Sequence, residues 1–249
     1  MQDGYLNFLK MDALYLGDPY MNEFEAELVS VDGREVVLDK TAFYPEGGGQ
    51  PCDTGTISCG GMTFRVVSVR KNGGIIIHEL GEENSAGELK LIIGQRIKGK
   101  IDWERRCKLM RMHTAAHLLA SLFHSRDGAL ITGNQLNLER SRIDFSLEGF
   151  DREKIDARIA EANGLIQKNL PVKFYWLDRE EALKTPELFK LAAGFKHAME
   201  KIRIVEIEGI DRQADGGTHV SSLGEIGKIE FLKAENKGKS NRRVYFTVK

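Results

Sequence analysis

Four side chains in two separate segments have the types and spacings of metal ligands. His113 and His117 are four residues apart in a segment with helical periodicity, so their imidazoles project from one face about one turn apart. Asp215 and His219 are also four apart, around a glycine pair that can turn both side chains inward. Three imidazoles and one carboxylate suit one zinc ion, with nitrogen ligands at about 2.0–2.1 Å.

Each half of this set also has a simpler interpretation. Helical histidines are common, so a surface or structural role stays open for His113 and His117. Asp215 can equally cap a helix beside a tight turn. A zinc-protease site of the His-Glu-x-x-His type is disfavoured, because Thr114 occupies the position of the glutamate that acts there as general base.

A glycine-rich segment lies earlier in the chain, where Glu46 is followed by three consecutive glycines and Gln50. Such glycines allow close approach and expose backbone amides, which suits a phosphate or the end of a nucleic acid. The segment lacks the Gly-Lys-Ser/Thr of a P-loop. An ordinary barrel loop is the alternative interpretation.

The elements that must position these groups differ along the chain. Between about Glu23 and Ile101, short alternating runs separated by glycine turns predict a small antiparallel barrel or sandwich. Beyond Asp102 the period becomes helical, and a long helix is predicted. Its apolar stripe would comprise Leu109, Met112, Ala116, Leu119 and Phe123. The histidine pair borders this stripe, so we expect it at the edge of the core.

The rest of the second half mixes strands and helices without regular alternation, which predicts an α+β domain that is not doubly wound. Two short strands are expected between Ile131 and Leu147, and two more around a polar turn at residues 236–241. We therefore predict a β-barrel domain over residues 1–100 and an α+β metal-binding domain over residues 101–249.

Composition narrows the class of protein. Lys and Arg number 36 against 37 Asp and Glu, a net charge of −1. Residues 1–100 carry a net charge of −5 and residues 101–249 one of +4, so contact with a polyanion is expected on the second half. No apolar run approaches the roughly 18 residues of a membrane span, and no secretion signal is visible. These features, with only three cysteines, predict a cytoplasmic protein without membrane contact.

Four motifs occur in an order that identifies a family. They are Phe43–Gln50, Arg111–Leu119, Arg142–Ser146 and Asp215–Val220. Together they resemble the editing domain of alanyl-tRNA synthetases and its free-standing relatives, the AlaX proteins, over roughly residues 15–249. The resemblance implies an N-terminal β-barrel packed on a two-layer α+β editing core. It also implies a hydrolase that clears mainly serine, and also glycine, from mischarged tRNA(Ala), acting in trans and without ATP.

The resemblance assigns the metal ligands. His113, His117 and His219 match the family's histidines, whereas Asp215 stands where the synthetase pattern has cysteine. A carboxylate is a harder ligand than a thiolate, so the identity of the metal and its affinity stay open. With four protein ligands a zinc ion would be structural; with Asp215 unbound, a water on the open position would become the nucleophile, because zinc lowers its pKa to about 7.

The resemblance also assigns catalytic residues, with His113 among them. Gln135 looks like the family's editing-site glutamine, and Thr132 lies where a threonine reads the serine hydroxyl. A pocket whose polar groups need that hydroxyl rejects alanine, because those groups are otherwise left unpaired. Assistance by the terminal ribose hydroxyl, with Gln135 fixing the water, is an equal hypothesis. The alternative is that Thr132 and Gln135 only finish a β-turn.

Contacts with tRNA are predicted at two places. One is the glycine-rich segment, through Glu46, Gly47, Gly48, Gly49 and Gln50. The other is a set of basic residues, Arg111, Lys239, Arg242 and Arg243, with Arg105, Arg106 and Lys108 near Arg111. A solvated surface is the alternative for each basic residue. Two further functions stay open: a catalytically inactive, metal-containing tRNA-binding module, and a zinc hydrolase of peptides or small molecules.

Overall fold

A computed structural model describes residues 11–81, 91–149, 152–189 and 200–249. The chain forms two compact units. The first comprises Met1–Gly47 and Pro51–Cys107, and the second comprises Gly48–Gln50 and Lys108–Lys249. Three residues of the glycine-rich segment thus belong to the second unit.

The first unit is a closed antiparallel barrel. Its six strands follow the order β2-β3-β7-β6-β5-β8, and pairing of β2 with β8 closes the ring. The strands β1 and β4 form a separate, short parallel pair. The strand bounds are β1 Asp12–Ala13, β2 Glu23–Asp32, β3 Glu35–Leu38, β4 Lys40–Thr41, β5 Gly55–Cys59, β6 Met62–Asn72, β7 Ile75–Leu80 and β8 Arg96–Ile101. The predicted antiparallel barrel is confirmed.

Strand alternation explains how the barrel fills its interior. Along β2, Phe24, Ala26 and Leu28 are buried, whereas Glu25 and Glu27 between them are exposed. This period of two is the pattern of a sheet with one face on the core. The barrel core is therefore encoded locally, strand by strand.

The second unit combines two antiparallel sheets with helices, which confirms the α+β class. The order is β14-β15-β10-β9 in one sheet and β11-β12-β13 in the other. The bounds are α1 Trp103–Asp127, β9 Ile131–Gln135, β10 Ser141–Phe145, α2 Arg152–Gln167, β11 Val172–Asp178, α3 Arg179–Leu183, β12 Lys201–Ile207, β13 Asp211–Ala214, β14 Ile229–Asn236 and β15 Arg242–Val248. Short 3-10 turns cover Leu14–Leu16 in the first unit, and Pro186–Leu188 and Leu223–Ile226 in the second. Helix α1 begins in the first unit and continues in the second from Lys108.

Helix α1 is more buried than its sequence predicts. In place of one apolar stripe, every residue from Met112 to Phe123 is buried, and His113 and His117 are only 2% and 5% exposed. The helix contacts both sheets of the second unit: the ring of Phe123 lies 4.5 Å from that of Phe145 in β10, and Nδ1 of His117 lies 3.3 Å from the carboxylate of Asp211 in β13. The expectation that the histidines lie at the edge of the core is therefore wrong.

No helix in the described ranges has both the length and the apolarity needed to cross a membrane. The cytoplasmic location stays a prediction.

Arg106 stabilises the first unit from its interior, although the sequence analysis grouped it with the predicted phosphate contacts. Its guanidinium is fully buried and forms an ion pair with Asp53. It also donates to the carbonyl oxygens of Pro19 at 2.7 Å and Ala42 at 2.6 Å. A guanidinium with its hydrogen bonds used inside the protein does not face solvent, so the earlier grouping of Arg106 is wrong.

Replacing Arg106 by leucine should lower the free energy of unfolding by about 3–5 kcal/mol, because it leaves the buried Asp53 carboxylate unpaired. Arg65→Leu is the matched control, since Arg65 pairs with Asp102 on the surface and should contribute less than about 1 kcal/mol. Urea denaturation measures both. Equal midpoints for the two variants would contradict the structural role of Arg106.

Candidate metal centre and adjoining cavity

Four side chains of the second unit converge on one point. The possible ligand atoms of His113, His117, Asp215 and His219 all lie within 4.8 Å of one another. The Asp215 carboxylate is 3.0 Å from Nε2 of His219, 3.7 Å from Nε2 of His113 and 3.9 Å from Nε2 of His117. The two segments predicted to supply ligands are therefore brought together.

Helix α1 and the turn after β13 position these ligands. The i, i+4 spacing on α1 places His113 and His117 edge to face, with ring centroids 5.1 Å apart. The turn brings His219 against His113 as a stacked pair at 4.2 Å. A Cβ atom on Gly217 would lie only 2.2 Å from Cε1 of His113, so this approach requires glycine. The Gly-Gly pair therefore makes room for an imidazole.

Gln50, the last residue of the glycine-rich segment, orients the ring of His113 by a hydrogen bond. It is fully buried, and its Oε1 lies 2.9 Å from Nδ1 of His113. The same oxygen accepts from the backbone amide of Thr218, and Nε2 donates to the Thr218 hydroxyl at 2.8 Å. Because an amide oxygen only accepts, Nδ1 of His113 carries the proton and Nε2 presents its lone pair to the cluster.

The other two histidines are oriented in the same way. Nδ1 of His117 lies 3.3 Å from the buried carboxylate of Asp211, so it donates there. The Thr114 hydroxyl lies 3.0 Å from the carbonyl oxygen of Met110 and 3.2 Å from Nδ1 of His219. Nε2 of His219 donates to Oδ1 of Asp215 at 3.0 Å, a hydrogen bond that a bound metal ion would replace. All three imidazoles thus turn their Nε2 atoms to one centre.

Burial sets the protonation of the cluster. Desolvation lowers the pKa of His113 to about 4, and it lowers the pKa of His219 well below its ordinary value. Burial alone would raise the pKa of Asp215, but the nearby His113, His219 and His117 hold it well below its ordinary value. At neutral pH, the neutral imidazoles of His113 and His219 therefore face an ionised carboxylate, which is the protonation state that metal ligands require.

These residues fit a divalent metal ion. Three nitrogen donors and one oxygen donor are a borderline set of the kind that zinc accepts. Each imidazole is hydrogen-bonded at its other nitrogen, as metal-ligating histidines almost always are. The donor set and its supporting bonds favour metal binding over a satisfied histidine cluster in the core.

A cavity of about 220 Å³ adjoins the cluster. Ala116, Ala120, Ile131, Ile143 and Ala214 form its apolar wall. Thr132, Asn134 and Gln213 are the uncharged polar side chains that line it. His113, His117, Asp215, Gly48 and Gly133 complete the lining. Its volume is below the roughly 300–1,000 Å³ of pockets for drug-sized ligands, so it suits one small group.

Only part of the glycine-rich segment lies at this cavity. Gly48 lines it, and the carbonyl oxygen of Gly49 accepts from the backbone amide of Leu136 at 2.7 Å. A Cβ atom on Gly49, whose φ is +86°, would lie 1.9 Å from Oδ1 of Asn134, so only glycine fits. Glu46 is exposed, and it and Gly47 belong to the first unit.

Thr132 and Gln135, two of the predicted catalytic residues, differ in their position relative to the cavity. Both lie on strand β9, which excludes the interpretation that they only finish a β-turn. Thr132 lines the cavity and donates to Oδ1 of Asn241 at 3.0 Å. Gln135 is exposed, accepts from Nε of Arg142 at 3.2 Å and is not among the described residues that line the cavity. Their catalytic roles stay predictions.

The predicted basic contacts are mostly engaged within the second unit. Arg111 donates to the carbonyl oxygens of Ile226 and Lys249. Arg243 forms an ion pair with Asp144. Arg242 is buried and donates to several carbonyl oxygens of the turn between β14 and β15, so its guanidinium does not face solvent. Lys239 is exposed.

Sequence reasoning missed three side chains of this candidate site. Asp211 orients His117, and Asn134 and Gln213 line the cavity. Asp211 and Gln213 lie on β13 at alternate positions, a spacing that puts side chains on one face of a strand, and Asp215 directly follows the strand. Assigning this segment as a strand that leads to a ligand would have identified Asp211 and Gln213.

Replacing Gly217 by alanine should displace His113 and raise the Kd for Zn²⁺ by about tenfold or more, because the new Cβ overlaps its ring. Competition with a chromophoric chelator at fixed pH measures this Kd. Gly216→Ala is the matched control, because a Cβ there meets nothing within 4 Å. Indistinguishable Zn²⁺ affinities for the two variants would disprove the packing argument.

Replacing Gln50 by methionine should also weaken Zn²⁺ binding, by about 10- to 100-fold, because Nδ1 of His113 loses its acceptor. The visible spectrum of the Co²⁺-substituted protein should change as the ring reorients. Gln167→Met, at the exposed end of α2, controls for the loss of an amide. A Gln50 variant with unchanged affinity and spectrum would rule out this role.

Comparisons with known proteins agree with the two units. The profile of tRNA synthetases class II (A) matches residues 3–105. The profile of the threonyl and alanyl tRNA synthetase second additional domain matches residues 202–245. Both profiles come from the tRNA synthetases.

Full-length relatives are more specific. The alanyl-tRNA editing protein AlaX-M of Methanosarcina barkeri is 50% identical over 241 residues, covering 95% of this chain and 98% of that protein. The AlaX-M protein of Saccharolobus solfataricus is 45% identical over 96% of this chain and 99% of its own length. The alanine–tRNA ligase of Ignicoccus hospitalis is 39% identical over 88% of this chain but only 24% of the ligase. The chain therefore belongs to the AlaX-M family of alanyl-tRNA editing proteins.

Proposed function

We propose that this protein is a hydrolase that acts in trans on mischarged tRNA(Ala), removing mainly serine and also glycine, with one zinc ion at the centre. The observation that carries the proposal is the small cavity that opens beside the His113, His117, Asp215 and His219 cluster. Family membership supports alanyl-tRNA as the substrate class. We propose the cytoplasm as its location.

The cavity suits the amino-acid end of the substrate. Alanine and isoleucine side chains line it, and its volume of about 220 Å³ accommodates a small acyl group. Apolar walls exclude bulk water and strengthen electrostatic interactions within the cavity. These properties favour an ester of alanine, serine or glycine over a peptide, so the hydrolase of generic peptides is disfavoured.

His113, His117, His219 and Asp215 would hold the zinc ion, which supplies Lewis-acid polarisation when bound. Gln50, Asp211 and Thr114 each contact Nδ1 of one imidazole, which leaves the three Nε2 atoms directed at the centre. This rigidity matters because ligands that are already oriented need no reorganisation during the reaction.

The proposed reaction is the hydrolysis of an ester. Water adds to the carbonyl carbon, the bond from that carbon to the ribose oxygen breaks, and the ribose hydroxyl regains a proton. The amino acid leaves as a carboxylate. These steps balance without a nucleotide, which agrees with the proposed independence from ATP.

Binding of tRNA is proposed to use the exposed Lys239 for phosphate contact. Arg111 and Arg243 are partly buried and would contribute only through the donor capacity that their internal bonds leave. The buried Arg242 would act indirectly, by fixing the turn that carries Lys239. Glu46, Gly47, Gly48 and Gly49 are proposed to contact the acceptor end, and Gln50 to hold His113.

The Zn²⁺-loaded protein should deacylate tRNA(Ala) charged with serine faster than tRNA(Ala) charged with glycine or alanine, because only serine supplies a hydroxyl. Loss of radiolabelled amino acid from each charged tRNA measures this. The His113→Ala/His117→Ala double variant should lose at least about a hundredfold in rate, the scale on which removal of a metal-site function is felt.

His124→Ala is the matched control for that variant. His124 lies on the same helix, exposed and hydrogen-bonded only to the carbonyl oxygen of Ala129 among the bonds described here. It should retain the wild-type rate. Tight binding of charged tRNA without any loss of the ester would instead support the inactive tRNA-binding module.

A further inference from the structure

Gln213 has a buried polar group that nothing in the fold satisfies. It lies on β13 between Asp211 and Asp215, and its side chain is only 6% exposed. Within the described part of the chain, its Oε1 is buried and has no hydrogen-bond donor. The residue also lines the cavity beside the metal centre. The unsatisfied acceptor therefore occurs at the place where a ligand would bind.

Such an acceptor is costly for the free protein. Leaving a buried acceptor unpaired costs about 1–3 kcal/mol, and most buried polar atoms in native proteins have partners. The neighbouring Asp211 and Asp215 both contact imidazoles, so Gln213 differs from the other members of its strand face. A donor on the substrate would remove the cost, which makes Gln213 selective for whatever supplies that donor.

Three donors on an aminoacyl ester can reach a small cavity: the α-ammonium, the free ribose hydroxyl and the hydroxyl of serine. The ribose hydroxyl is the same on every charged tRNA, so pairing with it gives no discrimination. The α-ammonium is present on alanine, serine and glycine alike, so pairing with it gives no discrimination. Burying a cation against a neutral amide also leaves most of its desolvation cost uncompensated. The serine hydroxyl is neutral, matches a neutral acceptor and is absent from alanine.

Thr132 is less suited to this discrimination. Its side chain is exposed, and its hydroxyl already donates to Oδ1 of Asn241. When alanine is bound, water can donate to the hydroxyl oxygen of Thr132, so the binding of alanine leaves no polar atom of Thr132 unpaired. A buried acceptor has no such substitute, and this asymmetry is what makes a polar pocket reject an analogue that lacks the hydroxyl.

We infer that Gln213 is the specificity-determining residue that accepts a hydrogen bond from the serine hydroxyl. This inference rests on the proposed function, because it requires the aminoacyl ester to enter the cavity. It deepens that proposal by naming the group that separates serine from alanine and glycine.

Gln213→Met keeps the length of the side chain and removes the acceptor. We expect kcat/KM for seryl-tRNA(Ala) to fall by about tenfold or more and the value for glycyl-tRNA(Ala) to stay within about threefold of the wild type. Gln167→Met should leave both unchanged. An equal loss for serine and glycine would overturn the inference, since it would indicate a structural role or contact with the α-ammonium. No loss would overturn it as well.

A binding measurement separates this inference from the proposed function. Seryl and alanyl amides of 3′-amino-3′-deoxyadenosine cannot be deacylated as esters are, and calorimetry gives their Kd values. The wild type should prefer the seryl analogue by about tenfold, and Gln213→Met should lose that preference. Preference without ester hydrolysis would sink the proposed function and keep Gln213. A wild type without preference would overturn the role of Gln213.

Discussion

The second unit depends on keeping three imidazoles and a carboxylate together in a buried place. Desolvation lowers the pKa of His113 to about 4, so the ring is neutral at physiological pH and can present a lone pair. That lone pair points inward because Nδ1, the other nitrogen, donates a hydrogen bond to Gln50. Asp211 and Thr114 contact Nδ1 of His117 and of His219, which turns the Nε2 atoms of these rings toward the centre. The candidate metal centre therefore depends on seven side chains, of which four are candidate ligands.

The two glycine motifs serve this centre through packing. Gly217 allows the ring of His113 to lie against the turn, and Gly49 allows the segment that carries Gln50 to lie against Asn134. In both places any Cβ atom would overlap a neighbouring side chain. The glycines thus set distances between segments that are far apart in sequence, rather than only permitting turns.

Selectivity in the cavity would come from an unpaired group more than from size. Alanine, serine and glycine differ little in volume, and an apolar wall discriminates weakly among them. The unsatisfied Oε1 of Gln213 gives the cavity a requirement that only a donor meets. This arrangement suits an enzyme that must spare the correctly charged tRNA, because the correct amino acid is the one that lacks the hydroxyl.

The sequence alone determined the types of the ligands, the antiparallel barrel, the α+β class and the family. The family follows from four ordered motifs, and the other properties depend on local periodicity, as in His113 and His117 on one helix face and the alternation along β2. Tertiary structure decided which glutamines matter: Gln50 and Gln213 are buried at the centre and the cavity, whereas Gln135 is exposed. It also buried Arg106 and Arg242, which read as basic surface in the sequence. Burial and hydrogen-bond partners arise where distant segments pack together, and no local pattern specifies them.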